Sequence, residues 1–422
     1  NDVDLNDIQQ IEIVKGPSSL LYANGTIGGI INIVDDCISA LNYELPEIKV
    51  GYETQSVNDG SSKNLNYKNN IGGFNVNFGY NKINFGNYDV PSGAVFHEEE
   101  HGEHEEEEEH HEENMGFINN SDYAVEATKF GISKVGDWGY VGISVDNLES
   151  IYGIPFHGDE HEDEHGDEEE HEEHAPTNFM NKATEYGAIL DISNDVMNQK
   201  LVFNFVDEDN SIVGEEAFMN PANNEEFTIG YYMSRDLDLF SVDLGMRIDQ
   251  IDRTGSVTDE DHGDIDYYSI DDSTNSFAVS VGKDLSDTLS VNMGFASVER
   301  LPSVIELFMN GPHMATGRLE TGNPNLMSET SDNFDITLNY ENDGFYAYAS
   351  FYVTDVDNYI TLMDEDEDHD EHEDEHEDEH DDHGHGNLIH ANYVQEDAEF
   401  DGYEFEFGKS FDMDSGVLNL SF

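Results

Sequence analysis

Short runs of alternating apolar and polar residues follow one another along almost the whole chain from about residue 46 onward. Because successive side chains of a β-strand point to opposite faces, each run predicts a strand with one apolar and one polar face. The clearest runs lie at 75–80, 140–145, 201–205, 277–281 and 345–351. The chain has room for about fifteen such strands, each near the ~9–11 residues that a tilted membrane-spanning strand needs.

The connectors between these runs alternate between short and long. The short connectors lie at 72–73, 136–138, 195–198, 235–238, 285–287, 341–344 and 413–416. Most are rich in the Gly, Asn, Asp and Ser that tight hairpin turns need. The long connectors lie at roughly 84–120, 151–180, 208–223, 252–271, 299–329 and 357–398. In an up-and-down meander every second connection falls at the same end, so we expect all long loops at one end of an antiparallel barrel. Alternation by itself would also fit a soluble β-sandwich.

Negative charge is concentrated in three segments of the chain. There are 95 acidic and 16 basic residues, a formal net charge of −79. Residues 97–113, 157–174 and 364–385 are almost unbroken in Glu, Asp and His, and we call them the three acid–histidine runs. Such charge repels nucleic acid and favours cations as partners. The single cysteine, Cys37, allows neither an intrachain disulfide nor a thiolate cluster, so a bound metal must be held by imidazole and carboxylate.

Histidine is concentrated in the same places, because seventeen of the 19 histidines lie in or just after the acid–histidine runs. The candidate metal ligands within the runs are His97, His101, His104, His110, His111, His157, His161, His165, His171, His174, His369, His372, His376, His380, His383 and His385. Imidazole beside carboxylate suits zinc, copper or nickel, whereas calcium and magnesium prefer oxygen alone. The alternative is a solvated charge run, or simple repeat expansion, that binds no metal.

The third run has a regular histidine spacing. Its histidines from His369 to His383 are three or four residues apart, which would align them on one face of a helix. Repulsion among the intervening carboxylates opposes that helix unless metal is bound. We therefore expect a multivalent mesh of weak, exchanging sites, with metal-induced ordering as the alternative.

Two pairs of motifs resemble the TonB-dependent receptors. Residues 8–22, IQQIEIVKGPSSLLY, are similar to the IERIEVLRGPSSLLYG stretch of that family's plug domain, and residues 25–34, GTIGGIINIV, to its GAIGGVINIIT continuation. Residues 299–308, ERLPSVIELF, followed by GNPNLMSE at 322–329, resemble the ERAPSIEELY and GNPNLKPE pattern of the family's barrel. The resemblance covers essentially the whole chain.

Three further segments resemble the zinc-receptor branch of that superfamily: NYDVP at 87–91, YGIP at 152–155 and GPHMAT at 311–316. In that branch a histidine at the position of His313 looks like a ligand of a discrete metal site. His262, in the short acidic segment DEDHGD, is an auxiliary candidate, and a surface or hydrogen-bonded histidine is the alternative for either residue.

The resemblance implies the end of an N-terminal plug domain at 1–40 and a transmembrane antiparallel up-and-down β-barrel at 41–422. The histidine- and acid-rich loops at 97–113, 157–174 and 364–390 would then be extracellular. With about fifteen strands of a barrel of about 22, we expect most of the plug, its energy-coupling segment and the closing strands to lie outside this sequence.

The sequence thus predicts a monomeric receptor of the bacterial outer membrane, embedded in lipid and coupled to TonB. It would bind and import a transition-metal ion, zinc before nickel or copper, as cargo and with no cofactor. Import of a metallophore complex is one alternative, and a surface adhesion barrel whose acidic loops bind a partner protein is another. No motif indicates an enzyme: Gly142-Ile-Ser144 lies within an alternating strand and cannot form the strand-to-helix elbow of a hydrolase.

Overall fold

The computed structural model describes residues 8, 10–22, 25, 29–35, 37–91, 116–155, 176–194, 196–214, 217–258, 263–313, 316–365, 388–413 and 416–422. The strands are β1 (Gln10–Val14), β2 (Ile30–Val34), β3 (Glu47–Gln55), β4 (Gly60–Ile71), β5 (Phe74–Phe85), β6 (Tyr88–Asp89), β7 (Phe117–Ile118), β8 (Tyr123–Gly136), β9 (Gly139–Gly153), β10 (Asn178–Ser193), β11 (Met197–Val213), β12 (Ala222–Leu237), β13 (Phe240–Thr258), β14 (Ile265–Ser286), β15 (Leu289–Arg300), β16 (Asn310–His313), β17 (Arg318–Thr321), β18 (Glu329–Asn342), β19 (Phe345–Asp364), β20 (Ile389–Met413) and β21 (Gly416–Ser421). A 3-10 helix, Pro17–Leu21, and one helix α1, Val304–Phe308, complete the described elements. Neither described helix has the length and apolarity needed to span a lipid bilayer.

The described strands form a barrel wall with meander topology. Fifteen of them, β3–β5, β8–β15 and β18–β21, make up the wall, and consecutive wall strands pair antiparallel with one another. The prediction of an all-β, up-and-down barrel of about fifteen strands is therefore confirmed.

The short connectors that the sequence predicts join their strands at one end of the wall, whereas the four-residue turn at 56–59 between β3 and β4 lies at the other end. The tightest joins β4 to β5, where Ile71 pairs with Phe74 and only two residues lie between them. Those residues, Gly72 and Gly73, have φ values of 62° and 86°. A type I′ turn needs positive φ at both central positions, and glycine adopts it without steric cost.

At the other end the strands are longer than the sequence pattern predicts. Strand β11 continues to Val213, β13 to Thr258 and β19 to Asp364, inside segments expected to be loops. Strand β20 likewise begins at Ile389, before the expected end of the long connector at 357–398. The pattern misses these extensions because their outward side chains are polar, as at the cross-strand pair of Asp209 and Asn223, so polarity no longer alternates. In these extensions the strands remain hydrogen-bonded to their neighbours, although their outward side chains no longer form an apolar surface for lipid.

Side chains alternate between the two faces of the wall in the manner of a membrane barrel. On β13, Met246 and Ile248 point outward and are 49% and 53% exposed, whereas Arg247 and Asp249 point inward and are 5% and 0% exposed. Apolar residues face outward and polar residues inward, the reverse of a soluble β-sheet protein.

The N-terminal segment lies against the inner surface of this wall. Strands β1 and β2 pair antiparallel, and the 3-10 helix between them contacts β12, β13 and β14. The 3-10 helix can approach β13 this closely only because residue 245 is a glycine, since a Cβ there would collide with the carbonyl oxygen of Pro17. Beside it, Nη1 of Arg247 lies 3.4 Å from the carbonyl oxygen of Leu20. We call this contact the plug seat.

Candidate metal site at the long-loop end

The candidate site is built on the β16–β17 hairpin, which follows β15 and precedes β18 along the chain, while β15 and β18 pair directly with each other. The hairpin pairs Gly311 with Glu320 and His313 with Arg318, so these four residues share one face. Gly311 has a φ of 150°, and a Cβ there would lie 3.0 Å from the Cα of Phe218. Glycine is therefore needed to let the hairpin approach the loop that follows β11.

Helix α1 anchors the chain just before the hairpin. Ser303 and Glu306 form a capping box, and Arg300 donates hydrogen bonds to both Glu306 and Glu329. Burial alone would raise the pKa of Glu306, but the hydrogen bonds and charge of Arg300 outweigh it and hold the pKa below its ordinary value. Phe308, at the end of the helix, is fully buried. The hairpin therefore begins directly after a helix that is held rigidly in place.

His313 is oriented by a buried carboxylate. Its Nδ1 lies 2.9 Å from Oε1 of Glu320, whose side chain is only 3% exposed, while His313 is 29% exposed. Oγ1 of Thr316 lies 2.8 Å from the same Oε1. The ring of Phe218 stacks on the imidazole at 4.9 Å between centroids. A carboxylate acceptor at Nδ1 places the imidazole proton there, which leaves the lone pair on Nε2 as a donor to a metal.

The first residue of the third acid–histidine run and the start of the strand that follows the run are both fastened to this hairpin. Nε and Nη2 of Arg318 donate to the two carboxylate oxygens of Asp364 at 2.6 and 3.0 Å. The backbone nitrogen of Glu365 donates to the carbonyl oxygen of His390 at 2.8 Å. In addition, β17 pairs in parallel with β20, with Leu319 opposite His390. The beginning of the run and the start of β20 after it therefore both lie against the hairpin that carries His313.

His313 is the one predicted ligand that falls among the described residues. The sixteen candidates in the acid–histidine runs, and His262, lie outside them. Within the described ranges no three His, Cys, Asp or Glu side chains converge as a metal centre. The sequence did not single out Glu320, which lies on the face of His313 because the hairpin pairs His313 with Arg318 and side chains alternate along β17.

Comparison with known protein families shows which family the chain belongs to. The TonB dependent receptor-like beta-barrel family matches residues 42–422, and the TonB-dependent receptor plug domain matches residues 1–30. The chain therefore belongs to the TonB-dependent receptors, which are β-barrel transport proteins of the bacterial outer membrane. The family and the location expected from the sequence are confirmed.

Solved structures share the fold at low sequence identity. The Serratia marcescens hemophore receptor HasR, solved with its hemophore HasA and heme, is 14% identical with a TM-score of 0.55, over 99% of this chain and 69% of that one. The copper transporter OprC is 12% identical with a TM-score of 0.59, over 98% and 66%. The siderophore receptor PirA from Pseudomonas aeruginosa is 12% identical with a TM-score of 0.54, over 95% and 69%. The chain spans about two thirds of the length of these receptors.

Proposed function

We propose that this receptor binds a transition-metal ion, zinc in the first place, at the cell exterior and imports it. The observation that carries the proposal is the orientation of His313. Its Nδ1 is held by the buried Glu320 and its ring by Phe218, so Nε2 is presented in a fixed direction. Histidine ligands of metals almost always make such a hydrogen bond to a carboxylate or carbonyl through the other ring nitrogen.

The acid–histidine runs support the choice of metal. Their imidazoles prefer zinc, copper or nickel to calcium or magnesium, and their carboxylates raise the local concentration of divalent cations. In this family long loops face the cell exterior. We infer that the runs collect ions there and that the third run, fastened beside the hairpin by Arg318 and Asp364, passes them to His313.

Import then requires the plug to move, with energy that reaches it through TonB. The plug seat, which ties Leu20 to the wall through Arg247, is one of the described contacts that such a movement must break or slide. The ion pairs of Lys15 with Glu404 and of Asp35 with Lys129 are two others. A related version, in which the cargo is a metallophore complex, is distinguished by whether zinc uptake needs an added chelator.

Replacing His313 or Glu320 tests the proposal directly. His313→Ala should abolish high-affinity uptake, and Glu320→Gln should weaken metal affinity by about 10–100-fold, because the ring loses its charged acceptor. Radioactive zinc uptake at limiting zinc is the measurement, with copper(II), nickel and calcium as competitors.

The control for this pair is Glu341→Gln, which alters a carboxylate at the short-turn end and should leave uptake unchanged. Uptake by His313→Ala at the wild-type rate in limiting zinc would refute a discrete site at His313. Equal loss of uptake and of total bound zinc would show that His313 is only one more collector.

Uptake should also depend on pH. Free imidazoles protonate near pH 6.5 and a protonated imidazole cannot donate to a metal, so zinc binding should fall as the pH drops below about 6. Equilibrium binding across pH 5 to 8 checks this. Undiminished binding at pH 5 would mean that carboxylates hold the ion and that the cargo is a hard cation.

A further inference from the structure

A second histidine lies across the hairpin from His313, at a cavity of about 410 Å³. The cavity is lined by Val257 and Asp266 from β13 and β14, by Asn310, Leu319 and Thr321 from the hairpin, and by His390 from β20. These strands form the walls of the cavity, which is open to solvent, at the long-loop end of the barrel.

The two faces of the hairpin separate the two imidazoles. Leu319 and Thr321 alternate along β17 with Glu320, which holds His313, so they lie on the opposite face. Leu319 is the parallel partner of His390, and directly paired residues share a face of the sheet. His390 is therefore on the cavity side. Among the described residues, no side-chain hydrogen bond occupies its exposed ring.

The chemistry of the lining suits a hydrated transition-metal ion. One imidazole comes from His390 and one carboxylate from Asp266, with the Thr321 hydroxyl and the Asn310 amide also on the wall. A water molecule has a share of about 30 Å³ in the liquid, so 410 Å³ leaves space for an ion that keeps several waters. Two protein donors with water in the open positions hold an ion less tightly than a closed four-ligand site does.

We propose that this cavity is a second transition-metal site, in which His390 coordinates the ion, Asp266 supplies the balancing charge and water fills the remaining positions. The inference rests on the proposed function, and it adds a holding position on the other face of the hairpin. An ion there exchanges readily, as a site along an import route requires.

Anomalous X-ray diffraction from zinc-soaked crystals of the full chain tests the inference site by site. Two anomalous peaks are expected, one near Nε2 of His313 and one within the ~2.0–2.1 Å zinc–nitrogen distance of His390. His390→Ala should remove only the second peak, and His313→Ala only the first. Asp266→Asn should lower the occupancy of the second, and calcium should give no peak at His390.

The outcomes separate the two proposals. A peak at His313 with none at His390 overturns the second site and leaves the proposed function standing, whereas no peak at either histidine removes both. A second peak that persists in His390→Ala also overturns the assignment. In cells, His390→Ala should lower zinc uptake by about tenfold at limiting zinc, and an unchanged rate would show zinc binding at crystal concentration only, which overturns the site as a step in import.

Discussion

Removing the three acid–histidine runs together should eliminate most of the zinc that the receptor binds and leave the barrel folded. The deletion should cover 97–113, 157–174 and 366–385, which takes out sixteen of the 19 histidines. It spares Asp364 and Glu365, because the structure shows that both are bonded beside the hairpin. Equilibrium dialysis gives the number of ions bound, and heat denaturation in detergent reports on the barrel.

A second variant separates coordination from simple attraction. Replacing the same sixteen histidines with asparagine keeps every carboxylate and the length of each run. If imidazole coordinates the metal, this variant should lose most of its zinc and keep its calcium. If both variants bind as much zinc as the intact chain, the collecting role is wrong. If deletion lowers heat stability, the expectation that the barrel folds independently of the runs is wrong.

Replacing Arg247 should produce the largest loss of stability. Its guanidinium donates to Asp249 at 2.9 Å and to Glu226 at 2.9 Å, and Asp249 is completely buried. Arg247→Met leaves Asp249 as an uncompensated buried charge, which costs about 3–5 kcal/mol when a buried pair is broken. It also removes the contact with Leu20, so the plug seat should become accessible to protease.

The double variant Arg247→Met with Asp249→Asn should recover part of that loss, because the completely buried side chain at position 249 no longer carries a charge. Lys182→Met is the matched control, since it breaks an exposed ion pair with Glu149 and should have little effect. Thermal unfolding and limited proteolysis of the full chain are the measurements. If Arg247→Met unfolds at the wild-type temperature, the cluster contributes nothing to holding the wall and the plug together.

Sequence patterns predict the wall of this receptor well, for a definite physical reason. Within the membrane each strand must be apolar on one face, and turns such as Gly72-Gly73 must be tight, so both leave marks in the sequence. Beyond the membrane that constraint ends. The upper parts of β11, β13 and β19 are consequently strands that polarity alone does not reveal.

The candidate metal site around His313 could be predicted from the sequence only in part. The motif around His313 indicates a ligand, but Glu320 and Phe218 are brought to it by the hairpin and by the loop after β11. Phe218 is 95 positions away from His313 along the chain, and no local pattern links the two. The partnership of Leu319 with His390 depends on a parallel pairing inside an antiparallel sheet, which no alternation rule anticipates.

The fastening of the third run has a consequence for how such receptors can diverge. Because Asp364 and His390 are held in strands on either side of the run, gain or loss of repeat units between them leaves the strand register untouched. The entropy of closing a loop grows slowly, by about 0.6 kcal/mol for each doubling of its length. Slippage in the gene can therefore change the copy number of the repeat between strains, adjusting metal capacity in small steps at nearly constant barrel stability.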